Sequence, residues 1–325
     1  MRRESELAIA ELRVRATGSR PMRSAAMTAM VLAGIALSAC GTSRQSGICG
    51  DANPPPTGSG DVDALDKQGD EAFAQRADQV QAEAAISAWT DALKAAPSRY
   101  DIRVKLARAD YFLADEHIWM QFNIEGKEAA GERMQNLYKS AANEAEFALG
   151  QKYPGFRSKY CARQPFNTAL EQLDKEAVPA MYWYAASLSR YALMTSIVEV
   201  LNQTDRIKAM MELIHRFDPS YWYYAADRYL GGFFTKIPFP SGDLPKSSKH
   251  FESAIQNAPN YLATKVIYAE MNAAKAGDKP LFRRLLEEVI AFDLNTAPEI
   301  KPENAGEQKK AKFYLDDIDS LIDSE

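Results

Sequence analysis

The chain has 325 residues, of which 46% are hydrophobic, so it is long enough to bury a large core in one elongated domain or two compact ones. Acidic side chains outnumber basic ones by 44 to 39, which gives a net charge of −5. This balance disfavours nucleic acid as a partner, because nucleic-acid-binding proteins usually carry a basic surface. It equally disfavours a broad electrostatic contact with anionic lipids.

The first 39 residues are organised like an export signal. Arg23 precedes an apolar run at 25–36, and Leu37-Ser38-Ala39-Cys40 follows this run. Small residues before a cysteine are typical of a bacterial lipoprotein signal, in which cleavage leaves Cys40 as a lipidated, palmitate-bearing amino terminus. The run is shorter than the about 20 apolar residues that cross a bilayer. We therefore expect residues 1–39 (or a start at Met22) to target the chain and Cys40 to anchor it.

We predict that residues 40–60 form a lipidated flexible tether and that residues 61–325 form a helical-repeat domain. Glycine, serine and proline dominate the tether, and few apolar side chains are present to pack. Two further cysteines, Cys49 and Cys161, could form one disulfide in an oxidising periplasm. Two unpaired thiols are the alternative, because the sequence does not show whether the cysteines lie close together.

From residue 61 onward the apolar periodicity is helical, and no segment alternates strictly enough to predict a strand. An amphipathic helix that ends at a proline, followed by an aromatic residue that starts the next helix, recurs. The clearest copy is 254–259 before Tyr261, and 92–97 and 214–219 are others. Tetratricopeptide-type helix pairs are joined in this way, although the spacing here is irregular. The sequence therefore predicts an all-α, irregular tetratricopeptide-like array of helical hairpins, either an α-solenoid or a compact bundle.

Motifs for catalysis or metal binding are missing from the sequence. The three histidines, His117, His215 and His250, are scattered, and neither metal-ligand pairs nor a glycine-rich phosphate loop occurs. The Asp61-Val62-Asp63 stretch begins like a calcium loop but lacks the later ligands, so we expect Asp61 to cap a helix. We therefore expect neither an enzyme nor a metal or cofactor site.

Two segments, 181–191 and 221–234, are unusually rich in aromatic residues. Aromatic stripes at helical spacing are most often core. Consecutive aromatic residues point in several directions, however, and some of them should line a groove, a cavity or a partner surface. The candidates for ligand or partner binding are Trp183, Tyr184, Tyr191, Trp222, Tyr224, Arg228, Tyr229 and Phe233. Trp119 lies in an insertion at 115–126, which is either an interaction edge or a short packed helix.

Several stretches resemble one known family, the TRAP-transporter T-component (TatT-like) accessory lipoproteins. The resemblance covers about 61–325 and is sharpest after Val178. It rests on Val178-Pro179-Ala180-Met181-Tyr182-Trp183-Tyr184-Ala185-Ala186, Phe217-Asp218-Pro219-Ser220-Tyr221, Arg228-Tyr229-Leu230-Gly231, Gly242-Asp243-Leu244-Pro245-Lys246-Ser247-Ser248-Lys249-His250-Phe251, Ala258-Pro259-Asn260-Tyr261-Leu262 and Lys301-Pro302-Glu303-Asn304. The family's Gly-Gly-Pro-His-Arg turn is replaced here by Tyr224-Ala225-Ala226-Asp227-Arg228.

The resemblance implies a lipid-anchored, non-catalytic periplasmic protein. Such a protein would act as an accessory T component that engages the periplasmic solute-binding receptor of a TRAP transporter and handles an apolar or organic-acid ligand. Gly41 after the cysteine favours the outer membrane over the inner membrane. Self-association stays open, nucleic acid is not expected, and a helical-repeat scaffold for envelope assembly is the alternative function.

Overall fold

Helices make up the regular structure of the computed structural model, which describes residues 47–50, 54–237 and 242–322. No strand occurs in these ranges, and the prediction of an all-α fold of packed helical hairpins is confirmed. The signal segment and Cys40 lie outside the described residues. A 3₁₀ turn at Gly47–Cys49 is the first described element.

The first half of the fold runs from α1 to α8. Its helices are α1 (Val62–Ala74), α2 (Gln79–Ala95), α3 (Tyr100–Phe112), α4 (Trp119–Asn123), α5 (Glu128–Lys152), α6 (Pro154–Cys161), α7 (Phe166–Leu170) and α8 (Val178–Thr195). A π-helical segment, Leu113–Ile118, connects α3 to α4 without a break.

The second half runs from α9 to α16. Its helices are α9 (Ile197–Phe217), α10 (Tyr221–Lys236), α11 (Leu244–Asn257), α12 (Ala263–Ile267), α13 (Ala274–Ala276), α14 (Lys279–Ala291), α15 (Lys301–Asp316) and α16 (Ile318–Leu321). A second π-helical segment, Tyr268–Ala273, connects α12 to α13.

Aspartate side chains begin several of these helices. Asp61 accepts hydrogen bonds from the backbone N–H groups of Asp63 and Ala64, as the sequence predicts. Asp243 and Asp278 cap α11 and α14 in the same way. A side-chain oxygen satisfies amide groups that have no partner within the helix, which fixes where the helix starts.

Neighbouring helices pack as hairpins around two large apolar clusters, and a third, small cluster contains Tyr261, Ala297 and Ile300. The helices α1 with α2, α5 with α8, α8 with α9, and α10 with α11 are examples of these pairs. The larger cluster extends from Ile48 to Ala226, and the smaller one from Phe251 to Ile322. Apolar side chains at helical spacing within 251–255, 262–273 and 282–292 form most of the smaller cluster.

The last long helix, α15, returns to the first helices. Arg76, just after α1, forms a buried salt bridge with Glu303 at 2.8 Å. Lys310 forms another with Asp115 of the π-helical segment at 2.6 Å. Trp119 packs edge-on against Phe313, so the insertion at 115–126 is a packed helix at this point and not a loop.

The segment expected to be a free tether is docked in part. Ile48 is 2% exposed and lies against α5, and Arg157 donates hydrogen bonds to the carbonyls of Ile48 and Gly50. Cys49 and Cys161 form a disulfide in the structure, with a Cα–Cα distance of 5.4 Å. Residues 47–50 are therefore docked on the helices, because one buried isoleucine and one cross-link suffice to hold a short turn.

No helix among the described residues combines the length and the apolar character needed to cross a bilayer.

Candidate functional site

An apolar cavity of about 160 Å³ opens between α8, α9 and α10. Its walls are largely aliphatic and aromatic, and the second π-helical segment contributes to them. They include Ala186, Val200, Ile207, Met211, Tyr229, Phe233 and Met271. Cavities of this kind are the usual sites for small apolar ligands.

Exposed hydrophobic side chains surround the mouth of this cavity. Leu193, Ile197 and Leu201 line it and are 42%, 52% and 53% exposed, and the neighbouring Val198 is 61% exposed. These four side chains, which we call the apolar rim, are most of the large hydrophobic residues exposed in the described part of the chain. Continuous exposed apolar surface is typical of binding sites, because it is unfavourable to leave it in water.

Two arginines lie in the mainly apolar wall of the cavity. Arg190 of α8 forms a salt bridge with Asp115 at 3.3 Å and contacts the Tyr111 hydroxyl. Arg228 of α10 donates to the hydroxyl of Tyr182 at 3.3 Å. Both arginines and both tyrosines also line a second, smaller cavity of about 40 Å³. This polar layer therefore separates an apolar chamber from a charged one.

The charged chamber contains a buried ionic cluster. The Lys310 ammonium lies 2.6 Å from Asp115, 2.7 Å from Glu307 and 3.7 Å from Glu116. Burial alone would raise the pKa of Asp115, but Lys310 and Arg190 lower it to about 2. Burial keeps the pKa of Glu116 well above its ordinary value, since one ammonium does not compensate every carboxylate.

The three carboxylates Asp115, Glu116 and Glu307 come close enough to suggest a metal site. Lys310 already provides a cation between them, with its ammonium within salt-bridge distance of each. A lysine held in this way satisfies carboxylates that would otherwise attract a metal ion. We therefore regard the cluster as a structural ionic core.

The backbone at the start of α10 is left-handed over three consecutive residues. Trp222, Tyr223 and Tyr224 have φ values of 46°, 57° and 57°. For non-glycine residues this conformation costs roughly 1–2 kcal/mol each. Arg228 stabilises the turn by donating to the carbonyls of Trp222 and Tyr223, and the Tyr223 ring stacks on Tyr261 at 4.8 Å.

A comparison with protein families identifies the chain. The sequence profile of the TRAP transporter T-component matches residues 106–322, which include α8 to α16, both cavities and the ionic cluster. The chain belongs to the TRAP transporter T-component family. A search of curated proteins finds no match.

Membership makes this protein an accessory component of a TRAP transporter and indicates a membrane-associated periplasmic location. The T-component family is a transporter accessory family and not a family of enzymes. No cluster resembling a nucleophile with its base stands out in the described T component. The closest arrangement is His250, whose Nδ1 lies 2.9 Å from Asp227, and it lines neither cavity.

The structure brings five of the eight predicted binding candidates to one or both of these cavities of the T component. Arg228, Tyr229 and Phe233 line the larger cavity, and Trp183, Trp222 and again Arg228 line the smaller one. In an unbroken helix Trp222 would share a face with Tyr229 and Phe233. The left-handed turn removes Trp222 from the right-handed register of α10.

The other three candidates line neither cavity. Tyr184 is fully buried in the core, where its hydroxyl donates to Glu146 at 2.6 Å. Tyr191 is 8% exposed and belongs to the larger apolar cluster. Tyr224, the third, is half-buried in the left-handed turn. On α8, Tyr182 and Trp183 line the cavities and Tyr184 does not, because successive residues of a helix point about 100° apart.

Sequence reasoning missed Tyr111, Tyr182 and Arg190 as cavity residues. Arg190 gave a usable signal, because it is the one charged residue of α8. An isolated arginine on an apolar helix needs a buried partner or a ligand. The rim residues Ile197 and Leu201 gave another signal, since they are apolar at a spacing of four residues on an exposed face of α9.

Proposed function

We propose that this T component is a lipid-anchored periplasmic adaptor that engages the solute receptor of a TRAP transporter and holds the apolar part of a ligand in the larger cavity. The observation that supports a binding role most directly is the cavity with its apolar rim. Four exposed hydrophobic side chains around one opening are costly in water, and they would be covered by a ligand or a partner.

The rim is also the surface on which a receptor would dock. A partner seated over Leu193, Ile197, Val198 and Leu201 would exclude water from these side chains and close the cavity mouth. Apolar residues at the centre of an interface contribute much of its affinity, since they are desolvated completely on binding. A second copy of the chain seated on the same rim would give a homo-oligomer instead.

A pulldown from the native envelope tests this function. The bait is compared with the variants Leu201→Asp, on the rim, and Ile124→Asp, a matched exposed apolar residue that lines neither cavity. Mass spectrometry then identifies captured proteins and small molecules. We expect a TRAP solute receptor with the parent protein and with Ile124→Asp, and a clear loss with Leu201→Asp.

Three results would contradict the proposal. Capture of envelope-assembly factors in place of a solute receptor would favour the scaffold function. Equal capture of the receptor by both variants would move the docking surface away from the rim, and capture of the chain itself would assign the rim to self-association.

The lipid anchor has its own test. Replacing Cys40 by serine removes the thiol to which the lipid would attach, so we expect the variant to move from the membrane fraction to the soluble fraction. Fractionation followed by immunoblotting measures the distribution. A Cys49→Ser variant is the control, because Cys49 lies outside the signal and should leave the protein at the membrane.

A further inference from the structure

We propose that the receptor seated on the apolar rim presents an acidic surface to three lysines beside the cavity, Lys236, Lys246 and Lys275, which we call the basic edge. This inference rests on the receptor-docking half of the proposed function. It adds the charge of the partner's surface and the feature that orients the partner on the rim.

Lys236 connects the basic edge to the larger cavity. It is an exposed residue in the last turn of α10, and it lines the cavity together with Leu193, Ile197 and Leu201 of the rim. Because these four residues line one small cavity, a partner that covers the rim also reaches the Lys236 ammonium group. No aspartate or glutamate among the described residues lines this cavity.

The other two lysines of the basic edge are held next to Lys236. Lys275 donates a hydrogen bond to the backbone carbonyl of Thr235, the residue before Lys236. The Lys246 ammonium lies 4.0 Å from the centre of the ring of Phe234, two residues before Lys236. Both lysines are exposed residues, so these contacts fix the two ammonium groups at a surface that a partner can reach.

The basic edge lacks counter-charges of its own. In the described ranges none of its three ammonium groups forms a salt bridge with a carboxylate. The nearest acidic residues in sequence cap helices instead. Asp243 accepts a hydrogen bond from the backbone N–H of Lys246 at 2.8 Å, and Asp278 accepts one from that of Leu281 at 2.9 Å. The lysine charges are therefore available to a partner.

Repulsion within the basic edge favours an anionic partner. Burial and the positive charge of Lys236 lower the pKa of Lys275. A carboxylate placed against both lysines would remove this repulsion. The chain as a whole carries a net charge of −5, so the basic edge is opposite in sign to the protein and would steer an acidic surface to this side of the cavity.

A folded protein fits this arrangement better than an anionic bilayer. Asp205 is exposed on α9 one turn after Leu201 of the rim, so an acidic residue also flanks the apolar surface. Anionic lipids spread over the rim would meet Asp205 as well as the lysines, and Asp205 would repel them. A protein surface can place a separate charged group against each sign, which fixes the orientation of the partner.

Cross-linking in the native envelope tests the proposal without any substitution in the chain. A carbodiimide joins a lysine to a carboxylate only when the two groups are in contact, and mass spectrometry then identifies the joined peptides. We expect cross-links from the basic edge to aspartate or glutamate of a TRAP solute receptor. Lys139, which is exposed on α5 and forms no described salt bridge, is the control. Receptor cross-links from Lys139 as frequent as those from the basic edge would overturn the proposal.

Charge reversal is the second test. Lys236→Glu combined with Lys246→Glu leaves the rim and the hydrogen bond of Lys275 in place, and melting temperatures show whether the variant folds. In the pulldown we expect receptor capture to fall about tenfold in this double variant and less than about twofold in Lys139→Glu, because like charges across an interface are unfavourable.

Vesicle sedimentation separates a protein partner from a lipid surface. The full chain bearing Cys40→Ser, with and without the two charge reversals, is mixed with phosphatidylglycerol vesicles and with phosphatidylcholine vesicles. We expect the charge reversals not to change the fraction that sediments with either lipid. Loss of sedimentation with phosphatidylglycerol alone in the charge-reversed protein would assign the basic edge to anionic lipid and refute the proposal.

The outcomes separate this inference from the function on which it rests. Equal receptor capture by the parent protein and the double variant, with a loss in Leu201→Asp, would refute the acidic partner surface and leave the rim as the docking site. Failure of the parent protein to capture a receptor would refute the docking half of the proposed function, and with it this inference.

Discussion

Gly306 of α15 shows how one residue without a side chain allows the ionic cluster to form. A Cβ atom added at Gly306 would lie 1.5 Å from Oε2 of Glu116. The carboxylate of Glu116 thus occupies the space that any other residue would fill. Glycine within a helix usually lowers its stability, so the close approach of Glu116 is the physical reason for glycine here.

Replacing Gly306 by alanine therefore tests this contact through the sign of the change in the free energy of unfolding. At an ordinary helix position the change would stabilise the protein by about 1 kcal/mol. Here we expect a loss of roughly 1–3 kcal/mol, because the buried Glu116 must move. Urea unfolding measures the difference. The control is Gly306→Ala combined with Glu116→Ala, which should recover most of the loss, and a stabilised single variant would show that Glu116 does not lie on Gly306.

The buried carboxyl of Asp110 in α3 should make the free energy of unfolding depend on pH. It is 3% exposed, its Oδ2 has no hydrogen-bond partner, and burial raises its pKa to about 7. Because the folded pKa lies above the unfolded value, this carboxyl binds a proton more readily in the folded protein. The free energy of unfolding should fall as the pH rises from about 4 to about 7, by at most roughly 4 kcal/mol.

The variant Asp110→Asn isolates this effect. Asparagine keeps the shape and cannot ionise, so the difference between the two proteins should grow in favour of the variant from pH 4 to pH 7. Asp205→Asn, on an exposed position of α9, is the control. Parallel pH profiles for the parent protein and Asp110→Asn would contradict the assignment of the buried carboxyl.

At the scale of elements, α10 departs from what its sequence suggests. Residues 221–224 are aromatic and consecutive, and a sequence pattern treats them as the first turn of an ordinary helix. In the structure, contacts with Arg228, Tyr261 and Trp183 hold Trp222 and Tyr223 in the left-handed region. Such strain persists only where the surroundings determine it, and it occurs most often at functional sites.

The left-handed turn is tested at Tyr224, whose ring makes no aromatic stacking contact in the described structure. We compare Tyr224→Gly with Tyr224→Ala, since both remove the ring. Glycine adopts a positive φ freely, so it should be more stable than alanine by about 1 kcal/mol. A right-handed helix would reverse the order by about the same amount. Thermal or urea unfolding of the pair gives the sign.

On the scale of the whole molecule, the contacts between α15 and the first helices join two apolar clusters. Lys310 links the C-terminal cluster to Asp115, and Glu303 links it to Arg76. Both salt bridges are buried, and breaking such a pair by removing one partner typically costs about 3–5 kcal/mol. The charged layer therefore adds to the packing that joins the two clusters.

We expect Lys310→Met to separate the unfolding of the two clusters. The methionine side chain is similar in length to that of lysine, but it leaves Asp115, Glu116 and Glu307 without the ammonium group that pairs with them. The variant should lose about 3–5 kcal/mol, and less at low pH, where protonation removes the repulsion among the carboxylates. Denaturant unfolding should change from one transition to two. Lys309→Met, one residue away and exposed, is the control, and a single unshifted transition in Lys310→Met would refute the coupling.

The sequence by itself determined the all-α class, where the helices of the hairpins begin and end, and most of the buried helix faces. These follow from local periodicity, from prolines between helices and from caps such as Asp61, all of which act within a few residues. The resemblance of 178–266 to T components also fixed the family, since it depends on residue order alone.

Only the tertiary structure decided which aromatic residues line a cavity. Tyr184 and Tyr182 are two positions apart in the same helix, but one is core and the other lines both cavities. The hydrogen bonds of Arg228 to Tyr182 and Thr264, the contact of Glu116 with Gly306 and the return of α15 to α1 likewise depend on residues far apart in the chain. Long-range contacts of this kind leave no periodic signal, because each is set by the packing of helices and not by neighbours in sequence.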